Sequence, residues 1–85
     1  MEKLKLFSAT HRCQPCRVLV QALKERVPNW EEKVEYVDAD NTSPENNEIA
    51  TKVGIRSIPA LVDGEALITG WMEILRYIKN ICTKE

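Results

Sequence analysis

Apolar and polar residues alternate at the start of the chain. In Lys3-Leu4-Lys5-Leu6-Phe7 every second residue is apolar until the segment ends apolar, the pattern of a strand with one buried face. Ser8 to Arg12 is polar and reads as a loop. From Gln14 to Val27 the period lengthens. Leu19, Leu23 and Val27 recur at four-residue spacing and Val20 widens the stripe, which predicts an amphipathic helix. Pro15 falls in its opening turn, where a missing N–H breaks no helical hydrogen bond, and Pro28 ends it. Val34-Glu35-Tyr36-Val37 predicts a second strand, closed by the polar stretch Asp38 to Thr42.

Ser43-Pro44-Glu45 reads as an N-cap, a proline at the first helical position and an acid in the first turn. Ile49 and Val53 supply the apolar side of this second, short helix, and Gly54 stands where a C′ glycine belongs. Ala60-Leu61-Val62 and Glu65 to Thr69, parted by Asp63-Gly64, predict a hairpin with a type I′ turn. Trp71, Ile74, Leu75, Ile78, Ile81 and Cys82 share one face of a last helix. The order is β-α-β-α-β-β-α. The first crossover predicts parallel pairing of the first two strands, and the hairpin adds an antiparallel pair. The expected fold class is therefore α/β, with a four-stranded mixed sheet covered by helices on both faces.

Length and charge narrow the classes open to such a fold. Eighty-five residues make one domain, expected over 1–85, with a single core. Twelve basic residues nearly balance thirteen acidic ones, so no electrostatic footprint for nucleic acid or anionic lipid is expected. Met1 to Lys5 shows no signal-peptide h-region, and no apolar run approaches a membrane span. The expectation is a cytoplasmic monomer.

The chemistry lies in the cysteines, of which there are three. Cys13-Gln14-Pro15-Cys16 stands where a strand hands over to a helix. There the unpaired N–H groups and the helix dipole stabilise a thiolate, the attacking species in disulfide exchange. Cys16 is one turn on and within reach of the Cys13 sulfur. His11, Arg12 and Arg17 flank the pair, with no acid close in sequence, which predicts a further fall in the Cys13 pKa. A C-x-x-C pair can also supply half of a zinc site. Zinc needs four ligands, and only His11 and Cys82 remain as candidates. His11 is too close to the pair for a usual spacing, and Cys82 belongs to an apolar stripe, so no metal is expected.

Two segments in this order resemble the thioredoxin superfamily: Cys13-Gln14-Pro15-Cys16 after a strand, and Gly54-Ile55-Arg56-Ser57-Ile58-Pro59-Ala60-Leu61 before a hairpin. The length and element order are those of glutaredoxins and mini-thioredoxins. The resemblance implies a minimal thioredoxin-like fold and a protein disulfide reductase, with Cys13 as nucleophile and Cys16 as resolving thiol. It implies a cis bond before Pro59, pairing of the Ile58 backbone with an extended substrate, and a flat surface at Gly70 beside the thiols. Arg12, Gln14 and Pro15 complete the expected substrate contacts. No bound cofactor is implied beyond the Cys13–Cys16 disulfide. Electrons would come from a thioredoxin reductase and NADPH or from glutathione, and the partners would be disulfide-containing proteins.

The chain also departs from the family patterns. Thioredoxins usually carry Trp before the first cysteine and Gly-Pro between the two; here Arg12 and Gln14-Pro15 stand there. Their buried acid on the preceding strand would fall near Phe7. Glutaredoxins typically show Pro-Tyr between the cysteines, Thr-Val-Pro at the cis-proline and Gly-Gly followed by acids. This chain has Ser57-Ile58-Pro59 and a single Gly70 followed by Trp71-Met72-Glu73. The alternatives are therefore a glutathione-dependent glutaredoxin and a non-catalytic binding module. Of the remaining residues, Cys82 is expected as a buried apolar residue, His11 as a loop residue able to shuttle protons, and Asp38 and Asp40 as solvated loop acids.

Overall fold

The computed structural model describes residues 3–82; Met1 and Glu2, part of the leader reading, lie outside them. Strand β1 (Leu4–Ser8) leads into α1 (Gln14–Arg26). A short 3-10 turn, Trp30–Glu32, precedes β2 (Val34–Asp38), and α2 (Pro44–Val53) follows. The hairpin strands β3 (Ala60–Asp63) and β4 (Ala66–Thr69) lead to α3 (Trp71–Cys82). The result is an α/β fold with a four-stranded mixed sheet in the order β2-β1-β3-β4 and three helices. β1 pairs parallel with β2 and antiparallel with β3, so the first strand is central.

Period-two alternation assigns the two faces of that central strand. Leu6 joins Leu19, Leu23, Ile74 and Ile78 in the larger core cluster, beneath α1 and α3. Phe7 points the other way, to Val37, Ala60 and Val62, against which Ile49, Ala50 and Val53 of α2 pack. Helices thus cover both faces, as the apolar strands predict. Trp30 is buried in the larger cluster. Cys82 lies in the same cluster, and burial pushes its thiol pKa up, the setting of a small buried apolar side chain.

The caps follow the sequence. Ser43 accepts the Asn46 N–H at 3.2 Å and Gly54 ends α2 in the left-handed region. The hairpin differs from expectation by one residue. Asp63 stays in the ladder opposite Ala66, so Gly64 and Glu65 form the turn. Only Gly64, at φ 64°, has positive φ there. That pattern belongs to a type II′ turn, not type I′, which needs positive φ at both central positions. Asp63 is held where it is by a second contact, a hydrogen bond from the Tyr77 hydroxyl of α3.

One buried polar group stands out. Ser8 is fully buried, and its Oγ has no hydrogen-bond partner among the described residues. A buried hydroxyl left unsatisfied costs roughly 1–3 kcal/mol. Ser8→Ala should therefore raise stability by about 1 kcal/mol, seen as a rise of several degrees in the thermal midpoint. A lower midpoint would mean that the hydroxyl is satisfied in solution.

Candidate active site

The site forms where β1 ends. Ala9 is fully buried, and its carbonyl accepts N–H groups from Arg12 at 3.1 Å and Cys13 at 2.9 Å. This turn delivers Cys13 to the N-cap of α1 with extended backbone angles, φ −120° and ψ 110°. Pro15 occupies the first turn, as expected. The Cys16 N–H points back at Cys13 Sγ, 3.2 Å away, so the sulfur sits where a capping oxygen ordinarily does. Cys13 and Cys16 are joined as a disulfide, with Cα atoms 5.2 Å apart.

The two sulfurs differ in access. Cys13 is 8% exposed and Cys16 is fully buried. Cys13 Sγ also lies 3.8 Å from the carbonyl oxygen of Ile58, although 45 residues separate the two. The Ile58–Pro59 bond is cis, as the resemblance implies. Pro59 is buried and Ile58 half-buried. The strand order explains the meeting, because β3 begins at Ala60 beside Phe7 near the end of β1. Gly70 is exposed at φ 86°, and a Cβ there would meet nothing within 4 Å. The glycine is required by its backbone angle and leaves open space in front of it.

The charges around the pair are not arranged as their sequence neighbours suggest. Arg12 Nε donates to Asp40 Oδ2 at 2.6 Å, and Arg12 Nη2 donates to Asp40 Oδ1 at 2.7 Å. His11 Nε2 lies 2.7 Å from the same Oδ2. Asp40 is an exposed loop acid, as expected, but one with fixed partners. It clamps both cations that precede Cys13. No acid lies close to the pair in sequence, but the loop after β2 brings one to Arg12 and His11 in space. Parallel pairing of β1 and β2 puts Ser8 opposite Asp38, so the loops that follow the two strands adjoin. Asp38 Oδ1 accepts the Asp40 N–H at 2.9 Å and fixes the turn that presents the carboxylate. The remaining cation, Arg17, donates to the Thr10 carbonyl at 2.9 Å and to Gln14 Oε1 at 2.6 Å.

Tyr36 is a second residue that local sequence does not reveal; its hydroxyl accepts the Thr10 N–H at 3.3 Å. His11, Asp38 and Asp40 bring possible ligand atoms within 4.8 Å of one another. Both Asp40 oxygens are already engaged by Arg12, so a cation there would have to displace a bidentate guanidinium. No described helix is long and apolar enough to cross a membrane. No protein-family model matches the chain, and neither a curated protein nor a solved structure matches it.

The Arg12 hydrogen bond, aided by His11, lowers the Asp40 pKa from 3.8 to about 2. A carboxylate with a depressed folded pKa contributes stability above its unfolded pKa and loses it as pH falls through the folded one. The clamp should hold at neutral pH and release between pH 3.8 and about 2. Asp40→Asn should flatten the acid limb of thermal stability in that window. An unchanged limb would show that Asp40 is not paired in solution.

Proposed function

We propose that this chain is a thiol–disulfide oxidoreductase of the thioredoxin type, acting by dithiol exchange. The observation that carries the reading is the pairing of Cys13 and Cys16 at the start of α1, with Cys13 8% exposed and Cys16 fully buried. The four-stranded mixed sheet with helices on both faces is compatible with a minimal thioredoxin-like fold. The approach of the Ile58 carbonyl to Cys13 Sγ, across 45 residues of sequence, supports the same reading.

The chemistry follows from the placement. In the reduced protein the Cys13 thiolate lies at the positive end of α1 and accepts the Cys16 N–H, both of which favour the anion. It attacks one sulfur of a substrate disulfide; the S–S bond breaks, and the other sulfur leaves as a thiolate that takes a proton. Cys16 then loses its proton and attacks Cys13 Sγ, which releases the second substrate thiol and closes the Cys13–Cys16 bond. Two electrons have passed to the substrate, and the disulfide is what a reductase must reopen. Arg12, Gln14, Pro15, Ile58, Pro59 and Gly70 would contact the substrate in this reading. Of these, Arg12 and Gln14 already have side-chain partners, Asp40 and Arg17. Substrate contact there begins from a preset arrangement.

The test is turnover of a protein disulfide with NADPH, once through thioredoxin reductase and once through glutathione and glutathione reductase. Turnover with thioredoxin reductase is the expected result. Turnover confined to glutathione would favour the glutaredoxin alternative, and none with either donor would favour a non-catalytic module. Cys13→Ser should abolish turnover, and Cys16→Ser should accumulate a mixed disulfide visible as added mass. Equal residual activity in the two variants would overturn the assignment of roles.

A further inference from the structure

The outer face of α1 and the start of α3 enclose a groove that the dithiol chemistry leaves unused. Val18, Ala22 and Trp71 line its apolar part, and the groove has a volume of about 510 Å³. It continues past Trp71 along α3, where Met72, Leu75 and Arg76 line a second hollow that shares Arg26 with the first. Val18 and Met72 are 36% and 59% exposed, so apolar surface is open to solvent along both parts.

Cations outnumber acids among the lining residues. Arg17 and Arg26 stand at the two ends of the α1 wall, and Arg76 of α3 lines the second hollow together with Arg26. No carboxylate pairs with Arg26 among the described residues. Glu25 is the acid on this wall, and its Oε2 accepts a hydrogen bond from Gln21 at 2.8 Å. Arg76 touches Glu73 at 3.6 Å, with both side chains about two-thirds exposed. Such a pair is weak and yields readily to a better-placed competitor.

Arg17, at one end of the groove, follows Cys16 directly in α1, so the groove runs along the same helix that the thiols begin. From Cys13 to Arg26 the helix rises about 20 Å, which about six extended residues would cover. We propose that this groove receives an acidic segment of the partner protein, with aliphatic residues among the acids, within about six residues of the partner's reactive cysteine. The apolar floor takes the aliphatic side chains, while Arg26 and Arg76 take the carboxylates. This assignment names a partner class for the proposed dithiol exchange and rests on that reading.

The test uses the prereduced full chain in single-turnover reactions with synthetic peptide disulfides. One peptide carries leucine and glutamate beside its cysteine, a second carries leucine and lysine, and hydroxyethyl disulfide serves as a small neutral substrate. The glutamate peptide should react about fivefold faster or more than the lysine peptide. Raised salt should shrink the difference. The double variant Arg26→Glu/Arg76→Glu should abolish or invert the preference and leave the rate with hydroxyethyl disulfide unchanged. Lys24→Glu/Lys52→Glu makes the same change of charge outside the groove and should keep the preference. Equal rates for the two peptides, or a preference that survives reversal at Arg26 and Arg76, would overturn the groove assignment and leave dithiol exchange standing. Failure to reduce even hydroxyethyl disulfide would remove the dithiol reading and this one with it.

Discussion

A single carbonyl sets the geometry on which the rest of the site depends. Ala9 is buried at the end of the central strand, and its oxygen takes the N–H groups of both Arg12 and Cys13. That double acceptance reverses the chain within a few residues and starts α1 at Cys13, with its open N–H groups over the end of the sheet. A side chain larger than alanine at residue 9 would meet fully packed surroundings, and the turn would have to widen. The helix packing beneath it, Leu19 and Leu23 against Leu6, then holds the turn in place from the other side.

The parallel pairing of β1 and β2 adds the second constraint. Loops that follow parallel neighbours emerge at the same end of a sheet, so the segments after Ser8 and Asp38 must meet. Four side-chain or backbone contacts bridge the two sides: Ala39 N–H to the Ser8 carbonyl at 2.9 Å, Thr10 N–H to the Tyr36 hydroxyl, and Arg12 and His11 each to Asp40. The cysteine loop is therefore braced by β2 as well as by its own helix. Arg12 and His11 are part of that brace and are not independent charges aimed at sulfur.

Local periodicity made most of the fold legible. The α1 stripe, the Ser43 cap, the Gly54 stop and the α3 face are each written in neighbouring residues. What could not be read there is what depends on distant pairing. The Asp63-Gly64 signal marks a turn but not its register. Register is decided by Asp63 opposite Ala66 and by the bond from Tyr77, a helix away. The central place of β1 beside β3 is likewise a long-range choice. At the site, the cysteine pair and the cis-proline were legible as motifs. Asp40 was not, since it stands 28 residues from Arg12. A signal did exist: once β1 and β2 are taken as parallel, the acid-rich loop after β2 must face the basic loop after β1.

The unequal burial of the two sulfurs has a consequence for oxidative damage. With Cys16 fully buried and Cys13 8% exposed, Cys13 is the sulfur of the pair that a peroxide reaches first. Sulfenic acid formed there lies one helical turn from a thiol already close enough to condense with it, and the product is the ordinary disulfide. The irreversible steps beyond sulfenic acid need time in an open, unpaired state, which the neighbouring thiol cuts short. Placing one thiol beneath the other thus returns a stray oxidation to a form that a reductant can reopen.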